Sequence, residues 1–169
     1  MNKISMNSAA LKAVIPEELK LAVTETQREA IKQFKQSNAI GDRPGLCEFH
    51  WDGFEADAYN SYGEDASGNI ISTSRLLLDS KRGFPEEETF PATVHEMRQQ
   101  GLKLAELGRL LVVSNYVTQF RCHYKITFQI ARLNHVDVVL ILMKTKHVSS
   151  HQKMMCVEVL ANQMGFSWD

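Results

Sequence analysis

The sequence lacks the features that identify several large classes of protein. Its 169 residues include three cysteines, none of them in a CxxC pair, so neither a disulfide framework nor a cysteine metal cluster is predicted. The longest apolar run, at 136–143, is interrupted by Asp137 and is too short to cross a bilayer. The N-terminus has no apolar signal-peptide segment. These absences predict a cytoplasmic domain without a membrane span.

The sequence also has no excess of positive or negative charge. The 19 Lys and Arg residues against 20 Asp and Glu residues give a net charge of −1, so no basic field is available to gather nucleic acid. Hydrophobic residues at 44% and charged residues at 23% are ordinary globular values, which excludes a disordered chain. The length fits one domain. We predict a flexible lead-in over residues 1–18 and a single domain over 19–169.

Nucleotide-binding, hydrolase and metal motifs are missing as well. The chain contains no P-loop, no GxGxxG and no GxSxG sequence. Of its six histidines, only His147 and His151 have helical i, i+4 spacing, and they are not part of an HExxH sequence. The sequence therefore predicts no metal site.

Hydrophobic periodicity predicts alternating strands and helices. A short strand at 19–23 precedes a helix that begins with a capping box at 24–27 and extends to about Ala39. The later predicted elements are a hairpin of strands at 56–62 and 70–78, a helix at 93–101, a strand at 107–113, a helix at 118–134, a strand at 136–143 and a helix at 151–164. This order predicts an α/β fold, with helices on both faces of one mixed sheet.

Two arginines fall within apolar strands, which is costly unless they are paired. Arg75 lies in the second hairpin strand and Arg109 in the strand that follows the next helix. Either one alone is explained by a head group that reaches solvent. With acidic residues on neighbouring strands, we predict that both pair with Asp57 or Glu106 around one cleft. Strict alternation places Glu106 and Arg109 on opposite faces, and a β-bulge at Gly108 would re-aim one of them.

Several segments of the chain match a known order of motifs. They are 28–34 with its Arg and Phe, Glu55-Ala-Asp57-Ala-Tyr-Asn60, 68–76 with Arg75, the Pro85-Glu element and Glu106-Leu-Gly-Arg109-Leu-Leu-Val. Together they resemble the GNAT-fold acyltransferases, in the branch of acyl-homoserine-lactone (autoinducer) synthases and N-acyl amino acid synthases. The resemblance covers about residues 20–166. Asn60 departs from the aspartate of the lactone synthases, and the Pro85-Glu element favours the N-acyl amino acid synthases.

The resemblance implies an N-acyltransferase that acts on a small amine or amino acid. It implies Glu106 as a general base acting through water, Arg109 and Arg75 as organisers of carboxylates and substrate, and Asp57 as partner of an arginine or of the substrate amine. The chain also ends at Asp169, where a GNAT fold usually forms its last two strands. A fold shortened at its C-terminus is therefore expected, completed by a longer native chain or by a homodimer.

The acyl donor is the second expectation that follows from the resemblance. GNAT folds pair the pantetheine arm of the donor with the strand after the bulge, which implies Leu111, Val112, Val113 and Ser114. No glycine lies between Gly108 and Gly165 to form the usual pyrophosphate loop of CoA-dependent members. We therefore expect acyl carrier protein as the donor partner, with acyl-CoA as the alternative donor, and no tightly bound cofactor. Arg121 is either a contact to the phosphopantetheine or carrier protein, or a solvated helix residue.

Two other functions remain open at this point. One is a conventional CoA-dependent GNAT acetyltransferase, which the missing glycines disfavour. The other is a catalytically inactive GNAT-like protein used for binding or assembly.

Overall fold

One five-stranded sheet forms the centre of the molecule, as expected for an α/β fold. The computed structural model describes residues 19–39, 52–85, 87–113, 118–143, 148–149 and 151. Within them the strands are β1 Lys20–Leu21, β2 Tyr59–Glu64, β3 Ile70–Leu78, β4 Leu104–Val112 and β5 Val138–Ile141. The helices are α1 Glu25–Ala39, α2 Pro91–Gln99 and α3 Gln119–Leu133. Sheet order follows chain order; β1 to β4 pair antiparallel, and β5 pairs parallel to β4.

Helices cover both faces of this sheet, as predicted. The face of α1 and α2 buries Leu77, Phe84, Val94 and Leu104 in one cluster. The α3 face buries Leu19, Leu76, Ala105, Ile126 and Ile130 in another. Removing each Leu, Ile, Val or Phe side chain of these clusters from water stabilises the fold by roughly 1.5–3 kcal/mol. The two clusters therefore hold β3 and β4, the strands that carry the charged residues, in fixed positions.

The predicted capping box begins α1. Thr24 N donates to Gln27 Oε1 at 3.0 Å, and Gln27 N donates to Thr24 Oγ1 at 3.2 Å. Each side chain thereby binds a backbone N–H that the helix itself leaves without an acceptor. Gln27 also donates to the Tyr62 hydroxyl at 3.2 Å, which ties α1 to β2.

The first hairpin strand begins later than predicted. Residues Glu55–Asp57 form one turn of 3₁₀ helix, and β2 starts only at Tyr59. Side-chain hydrogen bonds support the turn at both ends: Phe54 N donates to Asp52 Oδ1 at 3.1 Å, and Asn60 Nδ2 donates to Glu55 O at 2.9 Å. The predicted lead-in at 1–18, and all of the last helix except His151, lie outside the described residues.

The predicted β-bulge lies directly after Gly108. Thr73 of β3 pairs with Leu111 and Arg75 pairs with Gly108, so Arg109 and Leu110 stand opposite a single β3 residue. Arg109 has a φ of 54°, a left-handed conformation that a non-glycine residue seldom adopts. Pairing between β4 and β5 ends at Leu107, just before the bulge. Among the described residues, no helix is long and apolar enough to span a bilayer.

Candidate active site

A buried arginine stands at the centre of the site. Arg75 is 1% exposed, and its Nη1 donates to Asp52 Oδ1 at 2.7 Å, to Asp52 Oδ2 at 2.9 Å and to Glu55 Oε1 at 2.9 Å. Arg109 Nη2 donates to the same Asp52 carboxylate at 3.2 Å. We call Asp52, Glu55, Arg75 and Arg109 the arginine cluster. Both arginines are thus paired, as predicted.

The acidic partners of the two arginines differ from those predicted. Asp57 was expected to face the cleft, but its side chain is 73% exposed and lies 4.0 Å from Arg82. The 3₁₀ turn is the reason: residues two apart in a helix of three residues per turn point away from each other. Glu55 therefore faces inward, at 2% exposure, while Asp57 faces solvent. A strand reading of 55–57 missed this turn.

A third arginine, Arg82, which sequence reasoning placed in a loop without a role, holds the segment that carries Asp52. Arg82 Nη1 donates to Gly53 O at 2.8 Å and Nη2 donates to Asp52 O at 2.9 Å. Its guanidinium also stacks over the Phe54 ring, 3.7 Å from the centroid. Gly53 has a φ of 75°, which lets the chain turn sharply between the two carbonyls. Arg82 thereby fixes the backbone from which Asp52 reaches Arg75.

Glu106 lies beside the arginine cluster on the same face of the sheet. It is 3% exposed and pairs with Leu77 of β3, while Gly108, two residues further along β4, pairs with Arg75. Directly opposed residues of antiparallel strands share a face, so Glu106 lies on the same face as Leu77. Arg75 is two residues from Leu77 on β3 and also lies on this face, which α1 covers. A Cβ at Gly108 would stand 3.5 Å from Glu106 Oε1, so the carboxylate leans over the glycine. The Glu106 carboxylate therefore lies within van der Waals distance of the backbone position that pairs with Arg75.

The two carboxylates of the arginine cluster titrate differently. Burial opposes ionisation of Asp52, but hydrogen bonds from Arg75, Phe54 N and Arg109 outweigh it and hold the pKa of Asp52 at about 2. Burial raises the pKa of Glu55, and Arg75 only partly offsets that effect. Asp52 is therefore the stable anion that both arginines share.

Lys35 of α1 is a buried cation that sequence reasoning missed. It is 2% exposed, and burial lowers its pKa to about 7, with Glu55 opposing this shift and Arg75 adding to it. The signal was present in the sequence, because Lys35 follows the buried Ile31 by one helical turn. Its charge therefore responds to the arginine cluster and brings α1 into the electrostatics of the site.

The predicted donor-binding residues continue β4 beyond the bulge. Leu111, Val112 and Val113 are all half-buried, and Val113 N donates to Ile71 O at 2.9 Å on the β3 side. The β5 side of this stretch has no strand partner among the described residues. Ser114 lies outside them, and Arg121 is exposed on α3. Nowhere in the described part of the chain do three His, Cys, Asp or Glu side chains form a group that could hold a metal.

A polar group on the opposite face also escaped sequence reasoning. Ser61 and Ser74 lie 2.7 Å apart through their hydroxyls, and both contact Nδ1 of His123, at 2.8 and 2.9 Å. His123 is completely buried, and burial lowers its pKa to about 4. The three side chains join α3 to β2 and β3, and the sheet separates them from the arginine cluster.

Comparison with known proteins gives the same fold and a family. The family model "FeeM: N-acyl amino acid synthase FeeM" matches residues 51–164. The structure of FeeM, an N-acyl amino acid synthase from uncultured soil microbes, superposes with a TM-score of 0.68 at 16% identity, covering 79% of this chain and 74% of that one. No protein of curated function matches in sequence.

Two acetyltransferases show the same architecture at lower similarity. An acetyltransferase of Trypanosoma brucei has a TM-score of 0.56 at 14% identity, over 89% of this chain and 98% of that one. Glucosamine-6-phosphate N-acetyltransferase from Arabidopsis thaliana has a TM-score of 0.52 at 13% identity, over 90% of this chain and 100% of that one. At such identities the likeness concerns the fold, which is the GNAT fold expected from the sequence.

Proposed function

The chain belongs to the family of N-acyl amino acid synthases, and from this premise we propose that it transfers a fatty acyl group from acyl carrier protein to the amine of an amino acid or related small molecule. Membership makes the chain an acyltransferase, and its fold is that of the GNAT enzymes. The observation that carries the proposal is the position of Glu106. It lies where β4 and β5 stop pairing and beside a cluster of arginines.

The acyl donor occupies the side of β4 that has no strand partner beyond Leu107 among the described residues. Beyond Leu107 the backbone of β4 no longer pairs with β5, while its other side still pairs with β3. Backbone groups need partners, and the amides of a pantetheine arm supply them in an extended geometry. The thioester then lies near the bulge, where backbone N–H groups can stabilise the developing oxyanion.

Glu106 takes the proton that the acceptor amine must lose. The amine nitrogen attacks the thioester carbonyl carbon, a C–N bond forms, and the tetrahedral intermediate collapses with loss of the C–S bond. Glu106 accepts the amine proton through water, and the leaving thiolate takes up a proton on release. Its burial at 3% exposure keeps the carboxylate fixed for this transfer.

Arg109 orients the acceptor. Its side chain is 28% exposed, whereas that of Arg75 is 1% exposed, so Arg109 is the member of the arginine pair that a small substrate can reach. A guanidinium binds a carboxylate in bidentate fashion, which suits the carboxylate of an amino acid. Arg75 has an indirect role: it donates to the Asp52 carboxylate that Arg109 also contacts, and so helps to position Arg109.

The donor is carried on a protein. No glycine lies between Gly108 and Gly165, so the chain lacks the residues with which GNAT enzymes bring backbone N–H groups close to the CoA pyrophosphate. A phosphopantetheine on acyl carrier protein has one phosphate, so it does not need a glycine-rich loop of this kind. This argument disfavours the CoA-dependent acetyltransferase.

One incubation tests the proposal. The purified protein is mixed with long-chain acyl carrier protein, or in parallel with acetyl-CoA or long-chain acyl-CoA, and with a pool of amino acids, and products are identified by mass spectrometry. We expect N-acyl amino acids from the carrier-bound donor. Efficient acetylation from acetyl-CoA would favour the conventional acetyltransferase, and no acylated amine from any donor would favour the inactive binding protein.

A further inference from the structure

Helix α3 presents a row of exposed cations around an exposed aromatic ring. Arg121, Lys125, Phe128 and Arg132 follow one another at intervals of four, three and four residues, so they lie on one helical face. All of them are exposed. We call these residues the α3 stripe. No Asp or Glu occurs in α3, although the whole chain has a net charge of −1. Positive charge is thus concentrated here.

Phe128 gives the α3 stripe an apolar centre. Its exposed fraction is 39%, and its ring stacks on that of Tyr124, with centroids 6.3 Å apart. Tyr124 is only 2% exposed, so the exposed ring rests on a fixed buried one. Aromatic rings held in position and flanked by arginines are the residues that dominate binding energy at protein interfaces. The α3 stripe therefore differs from a uniformly charged, solvated helix face.

We propose that the α3 stripe is the surface on which the acyl carrier protein docks, an inference that rests on the proposed function. Carrier proteins are acidic, so a stripe of three cations complements them in charge. The stripe also lies close along the chain to the end of β4, the strand proposed to receive the pantetheine arm. A carrier seated on α3 can therefore insert its prosthetic group beside β4 while its own helix faces Lys125 and Phe128.

Charge reversal on the α3 stripe tests the proposal. The variant Lys125→Glu/Arg132→Glu is compared with the wild type using two donors, acyl carrier protein and the same acyl group on pantetheine alone. We expect kcat/KM for the carrier donor to fall by about tenfold or more, since reversed charges slow electrostatically steered encounter. Turnover of acyl-pantetheine, which has no carrier to dock, should change less than about twofold. Lys103→Glu, an exposed charge reversal at the opposite end of β4, is the matched control and should leave both donors unaffected.

The apolar centre has its own matched pair of variants. Phe128→Ser should lower kcat/KM for the carrier donor, whereas Leu133→Ser should not. Leu133 is 42% exposed on the same helix, but it lies about a third of a turn away from the α3 stripe. Added salt should weaken carrier-dependent turnover in the wild type and much less in the charge-reversed variant.

The outcomes separate this inference from the proposed function. If the wild type uses acyl carrier protein and the α3 variants do so equally well, the docking surface lies elsewhere and only this inference fails. If the wild type uses no carrier-bound donor at all, the proposed donor fails and the docking surface fails with it. If Phe128→Ser converts a dimer of this chain to a monomer without changing carrier kinetics, the stripe is a contact between copies and the inference is overturned.

Discussion

At the residue scale, Arg75 is the side chain on which the arrangement of the site depends. It lies on a central strand at 1% exposure and contacts two carboxylates, one of which it shares with Arg109. A buried ion pair does not need to stabilise a fold, but breaking one leaves an uncompensated charge inside it. The cluster therefore fixes the geometry of the site more than it adds to stability.

The variant Arg75→Met measures this dependence. Asp52 and Glu55 would lose their shared buried partner, and we expect the free energy of unfolding in urea to fall by about 3–5 kcal/mol. The control is Arg28→Ala, which removes a surface pair with Glu25. That change should cost less than about 1 kcal/mol. Equal effects of the two variants would contradict the central role of Arg75.

Glu106→Gln tests the proton acceptor. The amide has nearly the same shape as the carboxylate but cannot accept a proton, so kcat for acyl transfer should fall by about 100-fold or more. The midpoint of thermal unfolding should change little by comparison. Glu96→Gln, at an exposed position on α2, is the matched control and should retain full activity. A Glu106→Gln enzyme with wild-type kcat would remove Glu106 from the chemistry.

At the element scale, the loop at 52–54 depends on contacts that are distant in sequence. Arg82 donates to two of its carbonyls and stacks on Phe54, and the loop in turn presents Asp52 to Arg75. Lysine at position 82 would keep the charge but lose the planar, two-armed donor. We expect Arg82→Lys to lower kcat/KM several-fold while binding of the acyl donor is unchanged. Arg82→Lys with unaltered kinetics would show that the loop holds its shape without this contact.

Helix α3 meets the sheet through a histidine that must stay neutral. Because the pKa of folded His123 is about 4, below its ordinary value of about 6.5, the unfolded chain binds more protons between these two values. Stability from this residue is therefore complete above about pH 6.5 and is lost as pH falls toward 4, by up to about 3 kcal/mol. Unfolding free energies of wild type and His123→Gln, measured across this range, should converge in acid. A pH slope that is identical in both would exclude His123 as its source; His95→Gln, at an exposed site, is the control.

The elements differ in how far the sequence predicts them. Strand β3, the capping box at Thr24 and the bulge after Gly108 follow from local signals: a run of β-branched and aliphatic residues after a turn, side-chain caps and a glycine between charged residues. The turn at Glu55–Asp57 does not, because its residues alternate like a strand. Its conformation depends on the hydrogen bonds that Arg75 donates to Glu55 and that Arg82 donates to the loop before it. Such contacts between residues distant in sequence cannot be read from a local pattern.

The buried site residues show the same limit. Arg75 and Arg109 stood out because a charge in an apolar strand requires a partner, but the identity of the partner depended on the turn. Lys35 lies one helical turn after the buried Ile31, so the helical periodicity of the sequence could have identified it as buried. His123 could not, since its partners Ser61 and Ser74 lie on strands far away in sequence.

At the scale of the whole molecule, the two faces of the sheet carry different charged groups. The α1 and α2 face carries the arginine cluster and Glu106, and the α3 face carries the basic stripe. Strand β4 joins them, because its bulge aims Arg109 toward one face and its far end leads to α3. Family membership makes the chain an acyltransferase. In the function that we propose, the acceptor binds at the first face and the acyl carrier protein docks on the second.

The most direct test is the stoichiometry of a single reaction. Long-chain acyl carrier protein and an amino acid are incubated with the enzyme, and the free carrier thiol and the N-acyl amino acid are quantified together, by thiol titration and mass spectrometry. The account predicts one thiol released for each amide formed, with both products falling in parallel in Glu106→Gln. Release of thiol without any N-acyl amino acid, or no reaction of the folded wild-type protein with either carrier-bound or CoA-bound acyl groups, would contradict it.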